Sequence, residues 1–265
     1  MIAGVSTSGV RRRAFVALCQ RDLWVTVRHE PVAFLAQALL QPIFFLFVFG
    51  RVLPQIGAAR TGYGAQLMPG IMGLTLVLTS LQNTALPLVI EFSFTKEIED
   101  RLLAPLSTAA VAVQKIVIAA LRGIIAALLI IPLAELILPG GAHITHFHAA
   151  GFVGVLLAGA LAGAAMGLVL GTAVPPNRIS VAFAIVLTPL IFTGASFYPW
   201  QLLGRLEWFQ IVTLFNPLTY VSEGMRATIS ATPHLAPGWI ALGLAASLAV
   251  FGTAGIRGFT RRAVE

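Results

Sequence analysis

The sequence has few charged residues and a single cysteine. Its 265 residues include 17 basic and 10 acidic side chains, whereas hydrophobic residues make up 58% of the chain. A soluble domain is about 25% charged, so this chain lacks the polar groups that would cover a surface in contact with water. Because Cys19 is the only cysteine, no disulfide can form within the chain and no cysteine cluster can bind a metal.

The sequence patterns of common catalytic and nucleotide-binding sites are also missing. The chain contains no GxxxxGK[ST] phosphate loop, no GxSxG nucleophile turn and no HExxH metal pair. Its net charge of +7 is spread over several segments, which disfavours nucleic-acid binding. We therefore expect that the protein is not an enzyme, that it binds no metal or cofactor itself, and that it has no nucleic-acid partner.

Long apolar segments are what the chain has instead. Six of them approach the ~20 residues that a helix needs to cross a bilayer. They predict an all-α integral membrane protein with six transmembrane helices, at residues 32–53, 66–90, 111–138, 147–174, 179–198 and 237–256. The expected organisation is an N-terminal segment, a single six-span domain and a C-terminal tail, at residues 1–31, 32–256 and 257–265.

The N-terminal segment has the pattern of a helix that lies on the membrane surface. Arg21 and Arg28 fall on one face of such a helix, where they can meet lipid headgroups. Asp22 does not fit this pattern, and a short solvated helix or tail is the alternative. The opposite face carries an apolar residue at every fourth position: Phe15, Cys19, Leu23 and Val27.

The distribution of basic residues predicts the orientation. Six spans place both termini on the same side of the membrane. If that side is the cytoplasm, eleven basic residues are cytoplasmic, four are external, and Lys115 and Arg122 lie within span three. Because cytoplasmic loops carry an excess of Lys and Arg, we expect a multi-pass plasma-membrane protein with both termini in the cytoplasm.

Ionisable residues within the spans are few. Spans two and five, as predicted, contain no acid or base, which argues against the proton relay of an ion-coupled carrier. Arg122 is expected to lie close enough to the cytoplasmic interface for its side chain to reach the headgroups, and Glu135 lies near the outer end of span three. A structural role is favoured for both residues.

Two rows of polar residues lie within the first two spans. Thr75, Thr79 and Asn83 are four residues apart on span two, and Gln37 and Gln41 have the same spacing on span one. These side chains could line a translocation path, or they could form hydrogen bonds between helices. The sequence does not distinguish the two interpretations.

Two further motifs have structural interpretations. Span four carries a glycine at every fourth position, which predicts close packing of helices within the chain rather than a subunit interface. The stretch "HITHFH" at 143–148 has neither a carboxylate nor a cysteine nearby, so we interpret it as a solvated loop rather than a zinc site. The four glycines of span four are Gly159, Gly163, Gly167 and Gly171.

Residues 199–230 are too apolar for a plain loop and too interrupted for a span. Pro199 and the pair Asn216-Pro217 break any helix that runs through this segment. We predict two short helices that enter the outer leaflet and return. Glu223 and Arg226 are three residues apart and can form an ion pair on the second of these helices.

The stretch "TKEIEDRLLAPL" at 95–106 concentrates charge on the predicted cytoplasmic side. Its apolar edge and charged rim predict a surface that docks another protein. A solvated loop whose basic residues only set the topology is the alternative. We assign this role to the segment 91–108 and, within it, to Glu97, Ile98, Glu99, Asp100, Arg101, Leu102, Leu103 and Pro105.

Two stretches resemble a known family. "IFTGASFYPWQLLGRLEWFQIVTLFNPLTYVSEGMRA" at 191–227 resembles the C-terminal signature of type-2 ABC exporter permeases of the bacterial drug- and lipid-exporting branch. The sequence Arg-Leu-Leu-Ala-Pro at 101–105 resembles the "R-L-x-x-P" of their cytoplasmic loop between spans two and three. The residues that match or flank the C-terminal signature are Gly194, Pro199, Asn216, Pro217, Tyr220, Glu223 and Arg226.

The resemblance implies a function. Permeases of this kind work as dimers, of one chain or of two similar chains, in the bacterial inner membrane. A separate nucleotide-binding subunit holds ATP and Mg, and a short coupling helix carries its motion into the spans. The expected substrate is a hydrophobic or amphipathic molecule, such as a drug, a lipid or a lipid-linked molecule. The alternatives are an ion-gradient-driven carrier and a membrane scaffold without transport.

Overall fold

A computed structural model describes residues 7–29, 31–59, 62–95, 106–142 and 144–263. These ranges contain helices and no strand. We number the helices α1 (Thr7–His29), α2 (Pro31–Phe47), α3 (Tyr63–Ile90), α4 (Thr108–Ile137), α5 (Ala149–Ala173), α6 (Ile179–Thr193), α7 (Glu207–Leu214), α8 (Pro217–Ile229) and α9 (Pro237–Arg262). Short 3-10 turns at Pro176–Arg178 and Trp200–Arg205 precede α6 and α7, and α2 and α3 continue as π-helical turns at Val48–Val52 and Glu91–Thr95.

The prediction of an all-α membrane protein with six spans is confirmed. Within the described residues, six helical segments are long and apolar enough to cross a membrane: α2 with its continuation to Gln55, α3, α4, α5, α6 with its preceding turn, and α9. The ends of two spans differ most from the prediction. The fifth span ends at Thr193 rather than at 198, and the last continues to Arg262 rather than ending at 256. The basic residues assigned to a C-terminal tail, through Arg262, therefore belong to a helix.

The early end of α6 has a local cause. Proline at 199 disfavours helical backbone in the residue before it. Ala195 has a positive φ of 51°, which L-residues adopt rarely, so the chain turns sharply here. The turn at 194–199, which we call the α6 turn, is largely buried and leads directly into the two short helices α7 and α8.

Helix α3 forms the centre of the molecule, because α4, α5 and α8 all pack against it. The glycine ridge of α5 packs against another helix of the chain, as predicted, and that helix is α3. A Cβ atom added to Gly163, Gly167 or Gly171 would lie 2.3–3.0 Å from backbone carbonyl oxygens of α3. These glycines therefore let the two helix backbones approach, and in lipid this close packing stabilises the helix pair in place of the hydrophobic effect.

The N-terminal helix packs against α4, and this contact explains Asp22. The amide of Gln114 on α4 donates a hydrogen bond of 2.9 Å to the Asp22 carboxylate. Arg21 and Arg28 are exposed on the other side, as the sequence pattern predicted, and the Arg28 guanidinium lies 4.6 Å from the ring of Trp24. The apolar residues Phe15, Cys19 and Leu23 are half-buried.

Substitution of one ridge glycine tests the contact between α3 and α5. The Cβ of Gly167→Ala would lie 2.3 Å from the Leu81 carbonyl oxygen, and overpacking of this kind costs about 1–3 kcal/mol. We expect a lower apparent melting temperature for the purified protein in detergent. Gly154→Ala is the control on the same helix, because its Cβ meets nothing within 4 Å. Equal melting temperatures for both variants would contradict the packing described here.

Candidate functional site

Asn216 joins the two short helices to the end of α6. Its side-chain oxygen accepts a hydrogen bond of 2.9 Å from the Leu218 N–H and so caps α8, with Pro217 in the first turn. Its amide nitrogen donates to the Leu190 carbonyl and to the Thr193 hydroxyl, both at 2.9 Å. This one side chain therefore satisfies backbone groups at two helix ends. The sequence identified Asn216-Pro217 as a helix break, and the structure shows in addition that Asn216 is the N-cap of α8.

Glu223 and Arg226 form the ion pair that their spacing predicted. Both side chains are completely buried, and Arg226 Nη1 donates to Glu223 Oε1 at 2.7 Å. Arg226 Nη2 also donates to the Ser196 carbonyl in the α6 turn at 3.0 Å. A buried pair costs least when its remaining hydrogen-bonding groups have partners. Here the neighbouring backbone supplies partners for Arg226 Nη2 and for both Glu223 oxygens, whereas Arg226 Nε is buried without a partner among the described residues.

Glu223 also binds the two chain segments that flank the helix pair α7–α8. Its Oε1 accepts from the Trp200 N–H at 2.9 Å, and its Oε2 accepts from the Leu235 N–H at 2.7 Å. Trp200 follows Pro199 at the entrance to the pair, and Leu235 precedes α9. One carboxylate therefore fixes both the entrance and the exit of the segment 199–235.

Helix α3 approaches this ion pair through Gly70. A Cβ atom at this position would lie 1.8 Å from the Ser196 carbonyl oxygen and 2.7 Å from Arg226 Nη2. No residue larger than glycine fits without moving the α6 turn. The ion pair, the turn and α3 consequently form one packed unit, which we call the Glu223–Arg226 cluster.

The remaining signature residues also have packing roles. The Tyr220 hydroxyl donates to the Leu214 carbonyl at 2.7 Å, and the Tyr220 ring packs against Gly243 of α9. At Gly194 a Cβ would lie 2.5 Å from the Leu218 side chain. In the α6 turn, burial raises the pKa of Tyr198 to about 12, and the opposing effect of the Arg226 charge is smaller. The neutral Tyr198 hydroxyl donates a hydrogen bond to the Phe192 carbonyl.

The two polar rows meet at a narrow cleft between α2 and α3. Gln37 and Gln41 of α2 and Thr75 and Thr79 of α3 line it together. Thr75 and Thr79 are buried, and the Thr75 hydroxyl donates to a carbonyl of its own helix. Asn83, the fifth residue assigned to this group, is not among the lining residues of the cleft.

Asn83 instead binds Arg122. The Arg122 guanidinium donates to the Asn83 side-chain oxygen at 3.0 Å, and the Asn83 amide donates to the Thr79 carbonyl. Arg122 is half-buried, so its side chain reaches across to α3 within the helix bundle. The expectation that the Arg122 side chain extends to the headgroups is therefore wrong, because it forms a hydrogen bond between two spans. A polar partner on a neighbouring helix can satisfy a guanidinium inside an apolar bundle.

The predicted docking residues Glu97, Ile98, Glu99, Asp100, Arg101, Leu102, Leu103 and Pro105 lie outside the described residues. The structure does describe where this segment leaves α3. There Glu91 is buried and forms an ion pair with Lys115 of α4. The second span extends to Ser93, so the expectation that it contains no acid is wrong. The acid was missed because the predicted span stopped at Ile90.

Phe92 connects the same point to the last helix. Its ring lies 5.6 Å from that of Phe259, and the Arg262 guanidinium lies 5.0 Å from the Phe92 ring. Arg262 also donates to the carbonyls of Gly171 and Thr172 at the end of α5, both at 3.0 Å. We call Glu91, Lys115, Phe92 and Arg262 the α3 exit. The contact of Arg262 was not predicted, because this residue was assigned to the C-terminal tail. The sequence signal that could have indicated it is the preference for basic residues in the last turn of a helix.

Removal of the Glu223 charge tests the cluster. Glu223→Gln leaves the Arg226 charge buried without a counter-charge, which costs about 3–5 kcal/mol. We expect a large loss of apparent melting temperature in detergent and poor recovery of folded protein. Glu207→Gln removes the same charge from an exposed position at the start of α7 and is the control. A Glu223→Gln protein as stable as the control would show that the pair is dispensable.

Comparison with known proteins places the chain in a family. The sequence is similar to the inner membrane transport permease YadH of Escherichia coli K12, with 24% identity over 212 residues that cover 78% of this chain and 80% of that protein. It is also similar to the putative transport permease ycf38 of Cyanophora paradoxa, with 25% identity over 234 residues that cover 81% and 74% of the two chains. The ABC-2 type transporter family matches residues 13–230, from within α1 to the end of α8. The chain therefore belongs to the ABC-2 type transporter family.

Proposed function

We propose that this chain is the transmembrane subunit of an ATP-driven exporter in a bacterial plasma membrane. It forms the path for a hydrophobic or amphipathic substrate, such as a drug, a lipid or a lipid-linked molecule. The family match carries this proposal, since it extends over the segment 95–106 and the helix pair α7–α8 alike. The sequence has no phosphate loop, so ATP and Mg are assigned to a separate nucleotide-binding subunit.

The proposed orientation places both termini and the segment 95–106 in the cytoplasm. It rests on the eleven basic residues of that side against four on the other. In this orientation the α3 exit faces the ATPase subunit, and the Glu223–Arg226 cluster lies near the outer surface. Motion of the docked subunit would enter through Glu91 and Phe92, which contact α4 and α9.

A second permease subunit is part of the proposal. Helices α2 and α6 leave most of their apolar surface uncovered in the single chain, with Val32 78% and Ile185 67% exposed. A partner chain, identical or similar, would cover part of this surface. The cleft lined by Gln37, Gln41 and Thr79 opens between α2 and α3, so its polar side chains would then lie beside the subunit contact.

Transport into vesicles tests the energy source. Inside-out proteoliposomes would contain this protein and an ATPase subunit that copurifies with it, and a panel of lipophilic fluorescent compounds would report accumulation. We expect accumulation that needs ATP and Mg and persists after ion gradients are collapsed. Accumulation driven by a proton or sodium gradient without ATP would indicate a carrier. Absence of transport for every compound, with ATPase binding retained, would favour a scaffold.

A charge reversal tests the docking role of the segment 95–106. We expect Glu99→Arg combined with Arg101→Glu to abolish substrate-stimulated ATP hydrolysis and transport, because the rim charges no longer complement the partner. Membrane insertion and melting temperature should be unchanged, because these residues lie outside the spans. The matched control reverses Glu207 to Arg at the opposite membrane face. Copurification with the ATPase and full turnover in the double variant would refute the docking role.

A further inference from the structure

A groove between α5, α8 and α9 has no part in the function proposed above. Its volume is about 740 Å³, within the range of small-molecule sites. Its histidines precede the first residues of α5 and α9, and Thr228 near the end of α8 lines the same part of the groove. The mouth is lined by His146, His148 and His234, and the walls below are apolar, with no carboxylate among the lining residues.

The groove is as deep as one leaflet of a bilayer. Along α9 its wall runs from Pro237 to Leu248, and eleven residue steps of 1.5 Å correspond to about 16.5 Å. Half of a hydrocarbon core of ~30 Å is about 15 Å. A slot of this length, with polar groups at the water end and apolar walls below, matches an acyl chain that lies parallel to α9.

Small residues create this space. Gly151, Gly154 and Ala158 of α5 face Ala241 and Ala245 of α9 across the groove. A Cβ at Gly154 would meet nothing within 4 Å, whereas the ridge glycines of the same helix press against α3. Close helix packing therefore accounts for Gly167 and does not account for Gly154, which lies beside open space.

The hydrogen bonds of two histidines define what the mouth offers a headgroup. His148 Nδ1 accepts from the Gly151 N–H at 3.0 Å, so the proton of the neutral ring is on Nε2, which is a donor. His234 Nδ1 lies 2.9 Å from the Leu235 carbonyl, which only accepts. The Nε2 of the neutral His234 ring is therefore an acceptor. The mouth can donate to a phosphate and accept from an ammonium N–H.

We propose that this groove binds a phospholipid of the adjacent leaflet, with one acyl chain along α9 and a phosphate at His148. The headgroup carries a primary ammonium, as in phosphatidylethanolamine, which donates to His234. The site is a resident lipid site and is independent of ATP and of the transported substrate. It also gives His148 a role that the sequence did not suggest.

Photo-crosslinking in nanodiscs tests the acyl-chain contact. The probe is phosphatidylethanolamine with a diazirine in its acyl chain, and peptide mass spectrometry locates the labelled residues. We expect labelling within α5 and α9 along the groove. Gly154→Leu fills the slot and should lower this labelling at least about five-fold. Gly252→Leu is the control. A Cβ added at Gly252 also meets nothing within 4 Å, and Gly252 does not line the groove. Equal labelling of both variants would overturn the proposal.

The headgroup assignment has its own comparison. Phosphatidylcholine carrying the same diazirine has no ammonium N–H, and we expect it to label the groove at least about five-fold less. His148→Ser keeps a helix cap and removes the imidazole donor, so labelling by phosphatidylethanolamine should fall by a similar factor. Equal labelling by the two lipids, or no effect of His148→Ser, would show non-specific contact with bulk lipid and would overturn the site.

Discussion

The buried ion pair between Glu223 and Arg226 is the interaction on which the rest of the structure depends. In an apolar bundle each buried charge needs a partner. Removal of one partner leaves the other charge buried and uncompensated, which strongly destabilises the fold. Here the pair also binds the backbone of Ser196, Trp200 and Leu235. It therefore holds together the end of α6, the entrance to the helix pair α7–α8 and the start of α9.

Helix α3 relates this cluster to the opposite membrane face. It touches the ion pair at Gly70, and directly after its last residue Glu91 pairs with Lys115. Between these points the glycine ridge of α5 holds the two backbones in contact, so the central helices form a closely packed block. The less covered helices, α2 and α6, lie at its edge.

Periodicity and composition predicted the parts of the fold that depend on local pattern. The six spans, the breaks at Pro199 and Asn216, and the pairing of Glu223 with Arg226 followed from spacing along the chain. The Glu91–Lys115 pair and the contact of Arg262 with α5 could not be predicted, because they join residues 24 and about 90 positions apart. The groove beside Gly154 also depends on which faces of α5 and α9 meet. The docking residues of 95–106 stay a prediction.

Two surfaces of the molecule thus have different chemistry: a polar cleft beside α2, and a leaflet-deep apolar groove beside α9. The central claim is that the Glu223–Arg226 pair stabilises the fold, and a double-mutant cycle tests that claim most directly. Apparent free energies of unfolding in mixed micelles would be measured for Glu223→Gln, Arg226→Met and the double variant. The account predicts a coupling energy of about 2–3 kcal/mol, because each single variant leaves an unpaired charge and the double variant does not. Additivity within about 0.5 kcal/mol would contradict it.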